Sequence, residues 1–266
     1  MLFSMIQNWR YARIIKRSTV KEPQWEWAFS QLPILRGLSA EERAALRDLA
    51  ILFLHFKSLE GAREMEVSQQ MALIIGLQAC LPILKLGIHW YDGWVSVIVY
   101  PAEFVPDRVY VDDIGLEHRS NAILSGESWS RGPVVLSWEG SQHAGIIDGH
   151  NVIIHEFAHK LDGLNGRVNG FPPLHKGMQA TKWSKVMAEA FDDFGGKISA
   201  NTPVPIGAYA ATSPAEFFAV LSEVFFERPE ILYSLYPDVF DQFKQFYRQD
   251  PMARRQSADA GLAGER

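Results

Sequence analysis

Gly149-His150-Asn151-Val152-Ile153-Ile154-His155-Glu156-Phe157-Ala158-His159-Lys160-Leu161-Asp162 decides how this chain is read, because it sets an H-E-x-x-H motif into an otherwise apolar run. Two histidines four residues apart on an α-helix project from one face a turn apart, so their ring nitrogens can converge on one metal ion. Glu156, next to the first histidine, then lies beside the metal and not on it, where a carboxylate can act as general base towards an activated water. Val152, Ile153, Ile154, Phe157, Ala158 and Leu161 make the helix apolar nearly all round, which predicts burial. Two histidines and a glutamate are costly to bury without partners, and one zinc ion per chain would supply them.

Asp148 is the expected N-cap of this helix and Gly163 its expected end. Catalytic zinc takes three protein ligands, so one more His, Asp or Glu is needed beside His155 and His159. The extended motif with a third histidine six residues on is excluded, since positions 162 and 165 are Asp162 and Asn165. Downstream, the segment Tyr209 to Glu223 places two glutamates on an apolar helix, and one of them should face the metal. Glu216 has a competing structural role, because Ser213-Pro214-Ala215-Glu216 is itself a capping box with proline at the first helical position. Glu223, two turns on and on the same face, is the rival ligand or the group that holds a ligand histidine from behind. Asp162, one turn past His159, fits either a supporting carboxylate or a solvated helix end.

The 266 residues, 47% of them hydrophobic, are ample for a large core. A net charge of -5 without a long basic run argues against direct nucleic-acid binding. The lone cysteine, Cys80, lies in an apolar run and reads as a small buried hydrophobe. The first residues do not have the order of a signal peptide, and no stretch reaches the roughly 18 apolar residues of a membrane span, so a cytoplasmic location is expected. Residues 1–21 carry Arg10, Arg13, Lys16, Arg17 and Lys21 with no acidic residue; a frayed or surface-docked terminal segment is expected there, the alternative being a short basic amphipathic helix that touches anionic lipid or a partner. A single domain is expected over 22–251, with a disordered tail at 252–266.

Within that domain the capping box Ser39-Ala40-Glu41-Glu42 starts a helix to about Lys57, and Ser68 starts another running to Pro82. Strands are predicted at Val95 to Tyr100, Arg108 to Val111, Ala122 to Leu124 and Val134 to Trp138. A charged helix is predicted near Thr181 to Phe194, with Gly195 and Gly196 opening the loop after it. A small sheet before the metal helix and helices after it make the class α+β.

Beyond these physical readings, H-E-F-A-H-K-L-D, the Tyr-x6-Glu spacing from Tyr209 and the run A-E-F-F-A-V-L-S-E-V-F-F resemble the Mlc titration factor A family of bacterial metallopeptidases. W-Y-D-G at Trp90, Y-P-A-E-F-V at Tyr100, D-D-I-G-L at Asp112, G-P-V-V-L-S-W at Gly132 and Q-F-Y-R-Q-D-P at Gln245 extend the likeness over about Leu32 to Pro251. The resemblance implies a zincin-like fold similar to the catalytic domain of anthrax lethal factor. It also implies His155, His159 and Glu216 as zinc ligands, Glu156 as catalytic base and Tyr209 as an oxyanion donor. It further implies aminopeptidase activity on a peptide substrate, and binding of the glucose repressor Mlc that regulates the glucose phosphotransferase system. The competing reading from another class is a non-catalytic, repressor-sequestering protein whose zinc serves structure or switching.

Overall fold

The computed structural model describes residues 2–101, 108–111, 117–120, 132–142 and 146–256. Its order is α1 (Leu2–Lys16), α2 (Glu22–Ser30), α3 (Ala40–Phe56), β1 (Ser58–Gly61), α4 (Gln69–Cys80), β2 (Ser96–Tyr100), β3 (Arg108–Val111), β4 (Glu117–Ser120), β5 (Val134–Ser137) and α5 (Trp138–Gln142). The helical remainder is α6 (Val152–Asp162), α7 (Ala180–Ser199), α8 (Pro214–Glu227), α9 (Pro229–Leu235) and α10 (Pro237–Tyr247). The class is α+β, with the small sheet ahead of the motif helix α6 and helices after it.

Local chemistry sets the early helices. Ser39 Oγ accepts from Glu42 N at 3.2 Å while the Glu42 carboxylate accepts from Ser39 N at 3.2 Å, a complete capping box. Ser68 Oγ accepts from Met71 N in the same way at the start of α4. Cys80, at the end of α4, is free and buried.

The main sheet is parallel, in the order β1-β2-β5, with Ser58 opposite Ser96 and Val97 opposite Val134. Helix α4 makes the crossover from β1 to β2 that a parallel pair requires. The sequence does not announce β1, because Ser58-Leu59-Glu60-Gly61 has no β-branched run and is extended through its pairing with β2. β3 and β4 form a separate antiparallel ladder. The strand expected at Ala122 to Leu124 lies outside the described residues.

Two expectations about helix ends are corrected. Gly195 and Gly196 lie inside α7, not in a loop, because the buried stripe of Trp183, Met187, Ala190 and Phe194 continues beyond them to Ile198, which packs against the core. That stripe offsets the roughly 1 kcal/mol that each interior glycine costs relative to alanine. At the far end, residues 251–256 are helical, and the rest of the expected tail, 257–266, lies outside the described residues.

Helix α6 is central: Ile153, Ile154, Phe157, Ala158 and Leu161 are fully buried. The Phe157 ring meets Phe53 of α3, Tyr91 and Trp94 at centroid distances of 5.5, 5.1 and 5.7 Å. On its other side α6 packs along α8. Helix α10 then closes the core with Phe243, Phe246 and Tyr247, all fully buried, and the Tyr247 hydroxyl lies 2.7 Å from Ser222 Oγ of α8. Tyr236 and Phe240 are buried as well, which leaves Tyr233 as an exposed aromatic of this region.

The connection after α6 is fixed by Gly170. Its N–H donates to Asp162 Oδ2 at 2.7 Å, and its carbonyl accepts from Trp183 Nε1 at 3.1 Å. With φ at +77°, an added Cβ would stand 2.5 Å from the Pro214 carbonyl oxygen. Gly170→Ala is therefore expected to destabilise the fold by about 1–3 kcal/mol. Urea unfolding checks this, and an unchanged midpoint would show that the loop accommodates the methyl group.

Candidate metal centre

The N-terminus of α6 is held from the neighbouring helix. Asn151 and not Asp148 is the cap, its Oδ1 accepting from Ile154 N at 3.0 Å; Asp148 instead accepts from His150 N at 2.9 Å. Glu223 of α8 accepts from Asn151 N, and Glu227 accepts from Gly149 N and from Asn151 Nδ2, both at 3.0 Å. Gln78 of α4 takes the other Asn151 amide proton at 2.8 Å. Two carboxylates thus satisfy N–H groups at the positive end of the helix dipole. Burial pushes Glu227 up to about 7 despite its bonds from Asn151 and Gly149.

Glu216 lies on that same face of α8. Ser213 Oγ accepts from Glu216 N at 3.2 Å, as a helix cap should, but the Glu216 side chain does not return to close the box. Its Oε2 lies 3.0 Å from His155 Nε2 and 3.3 Å from His159 Nε2, and the two Nε2 atoms are 3.2 Å apart. Ligands about 2.0–2.1 Å from a tetrahedral ion are separated by roughly 3.3–3.4 Å. The three donor atoms therefore already outline one face of such a polyhedron, and the chemistry of two imidazoles and a carboxylate suits a metal ion. Glu223 is not in this cluster. Its Oε1 is 2.7 Å from His155 Nδ1, so a proton on Nδ1 leaves the Nε2 lone pair facing the cluster.

The electrostatics favour a cation. Burial alone would lower the His155 pKa, but hydrogen bonds to Glu216 and Glu223 and the charges of Glu223 and Glu156 raise it to about 10. Burial likewise opposes ionisation of Glu216, yet His155 and His159 bring it down to about 2. Glu156, half-buried beside them, is pushed up by burial and by the Glu216 carboxylate while both histidines pull it down. Lys160, whose Nζ donates to the Gly132 carbonyl at 2.7 Å, is lowered to about 8 by burial and helps to balance the charge of Glu156.

Tyr209, on the short 3-10 turn Ala208–Ala211, stands at the mouth of the site, with its ring 6.1 Å from that of His155 and 38% of its surface exposed. Burial of its hydroxyl and the hydrogen-bonded Glu216 carboxylate hold its pKa above the ordinary tyrosine value. Asp162 is fully buried, which removes the solvated helix-end reading. It accepts from the backbone of Gly170, and burial raises it to about 6. Its Oδ1 and the His159 Nδ1 are both buried without a hydrogen-bond partner among the described residues. Sequence reasoning missed Asn151, Gln78 and Glu227. The signal for Glu227 was available, since Glu216, Glu223 and Glu227 recur at i, i+7 and i+11 on a helix with no other charge between them.

Comparison with known proteins agrees with this geometry. The model of a family described as glucose-regulated metallo-peptidase M90 matches residues 6–248. Mlc titration factor A of Salmonella paratyphi A is 44% identical over 248 residues, covering 91% of this chain and 92% of that protein. Mlc titration factor A of Klebsiella pneumoniae is 40% identical over 250 residues, covering 92% and 93%.

The charge balance predicts a pH profile. His155 is raised from 6.5 to about 10, so its contribution to stability is complete below about 6.5 and is lost as pH climbs towards 10. Glu216 is lowered from 4.5 to about 2, so the same ion pair also fails as pH falls from 4.5 towards 2. Protein stripped by a chelator should melt at steadily lower temperature from about pH 6.5 to 10. Metal-loaded protein, with an ion in place of the His155 proton, should lack that slope. Identical profiles with and without chelator would mean that no ion binds at His155.

Proposed function

The chain belongs to the glucose-regulated metallo-peptidase M90 family, and from that premise we propose that it is a zinc-dependent, aminopeptidase-like peptidase of the cytoplasm that also binds a repressor of the Mlc type. His155, His159 and Glu216 are the proposed zinc ligands, Glu156 the general base and Tyr209 the oxyanion donor. The observation that carries this reading is the convergence of three donor atoms at separations of 3.0, 3.2 and 3.3 Å beside a half-buried glutamate. Two nitrogens and one oxygen suit zinc better than calcium or magnesium, and a three-ligand set keeps one position for substrate chemistry.

When bound, zinc supplies Lewis acidity, bringing the pKa of a coordinated water from ~15.7 towards ~7 and polarising the scissile carbonyl. Glu156 takes the proton of the attacking water and passes it to the leaving amine. Its raised proton affinity, caused first by burial, suits both transfers. Tyr209 stays protonated at neutral pH and can donate to the oxygen on which negative charge develops. Glu223 acts through His155, fixing its ring and tautomer. A peptide can add to β5, which among the described residues has a strand neighbour on one side only. Main-chain bonding of that kind tolerates varied sequence.

Repressor binding rests on what the relatives are called, and no described helix is long and apolar enough to cross a membrane, in keeping with a partner met in the cytoplasm. The rival reading, sequestration of a repressor without turnover, predicts a closed zinc site of four protein ligands and no need for Glu156. The three-residue cluster with an adjacent carboxylate favours the enzyme.

Glu156→Gln should retain zinc and lose nearly all hydrolysis of aminoacyl and peptide substrates, read by metal analysis and turnover. Wild-type turnover in that variant would remove the proposed mechanism. The same variant should still bind an Mlc-type repressor in calorimetry, since a protein partner needs roughly 800 Å² of surface whereas His155 and Glu216 are buried. Loss of binding by the folded, zinc-loaded variant would make the repressor a substrate. Glu216→Gln should forfeit most zinc affinity, whereas Glu223→Gln should weaken it about 10–100-fold through the loosened His155. Full zinc occupancy in Glu216→Gln with metal loss in Glu223→Gln would exchange their roles.

A further inference from the structure

Helix α1 shows two different faces. Tyr11, Ile14 and Ile15 pack inward on α3, with the Tyr11 ring 5.9 Å from that of Phe56 and its hydroxyl bonded to Gln7 at 2.7 Å. On the outward side, Met5, Ile6 and Trp9 are 64%, 52% and 61% exposed, and Arg10, Arg13, Lys16 and Arg17 are exposed behind them. The Arg13 guanidinium lies 5.4 Å from the centre of the Trp9 ring, so the cation and the indole form one surface. Arg10, Arg13 and Arg17 also line a cleft of about 650 Å³ between α1 and α3 that reaches His55.

Charge is segregated along the chain. Residues 1–21 hold five basic and no acidic side chains, which leaves 21 basic and 31 acidic residues for the rest of a molecule whose net charge is -5. We propose that the outward face of α1 docks this protein reversibly on an anionic lipid surface. Met5, Ile6 and Trp9 would enter the interface, and Arg10, Arg13, Lys16 and Arg17 would meet lipid phosphates.

The occupant follows from the combination. A basic face attracts any polyanion, but three large apolar side chains exposed at one end gain nothing on a phosphate backbone and gain burial at a headgroup boundary, where tryptophan is favoured. Helix α1 has 15 residues, and no described helix is long and apolar enough to span a bilayer, so it lies on the surface. The acidic remainder of the chain is repelled by the same lipids, which limits contact to α1 and keeps it reversible and sensitive to salt.

The test is sedimentation of the full chain with vesicles of phosphatidylcholine alone or mixed with phosphatidylserine, at low and at physiological salt. Binding is expected to the phosphatidylserine vesicles only and to weaken with salt. The triple variant Arg10→Gln, Arg13→Gln, Arg17→Gln should lose at least about tenfold in affinity. Trp9→Ala should lose several-fold without changing the salt dependence. Unchanged melting temperatures and unchanged cleavage of a soluble peptide would show that these exposed positions act on docking alone. No binding to either vesicle, equal binding to both, or undiminished binding by the triple variant overturns the proposal. Displacement from vesicles by a short RNA duplex that itself binds more tightly would also overturn it, and would identify a nucleic-acid face.

Discussion

The structure depends on one histidine ring shared between two carboxylates of a neighbouring helix. His155 meets Glu216 through Nε2 and Glu223 through Nδ1, at 3.0 and 2.7 Å, inside a core built mainly of aromatic and aliphatic side chains. Such a group is stable in the interior only if every polar atom finds a partner. The rest of the arrangement follows from that demand. Helix α8 must run beside α6 with its glutamates in register, and the first turn of α6 must be held where the second carboxylate can reach both the ring and the Asn151 N–H.

The carboxylates of α8 divide the work along one face. Glu216, at the start of the helix, belongs to the donor cluster, Glu223 orients a histidine and accepts from the N–H of the cap residue Asn151, and Glu227 secures Gly149 and Asn151. The cluster is therefore braced by the same side chains that fix the helix pair. Gly149, with φ at +98°, turns the chain so that its N–H points at Glu227. A site built in this way on two packed helices is stiff, and the three donor atoms stand near the spacing an ion demands before one is bound. The raised pKa of His155 and the lowered pKa of Glu216 are two views of one field, which rewards positive charge where the lone pairs converge.

Much of this was legible in the chain. The H-E-x-x-H spacing, the apolar surroundings of α6, the caps at Ser39 and Ser68, and the pair of glutamates after Ser213 are local patterns, and each acts through contacts one to four residues apart or along one helix face. Strand β1 was hidden because its extended form comes from pairing with β2, and α7 ran through Gly195 and Gly196 because burial outweighed propensity. Asn151 displaced Asp148 as cap because Glu223 and Glu227 select the residue they can reach, a preference exerted from about 70 residues away in sequence.

The sequence by itself determined that two histidines and a glutamate share a buried helix, and that a second apolar helix carries carboxylates on one face. Spacing along a helix is a local geometric fact and needs no fold to express it. Only the tertiary structure decided which carboxylate meets which atom: Glu216 both histidines, Glu223 the back of one ring, Glu227 the helix terminus. It also decided that Asp162 is buried and not solvated. Those choices depend on how α8 is placed and rotated against α6, which the packing of Phe157, Phe218, Phe225 and the α10 aromatics sets jointly and no single stretch of the chain contains.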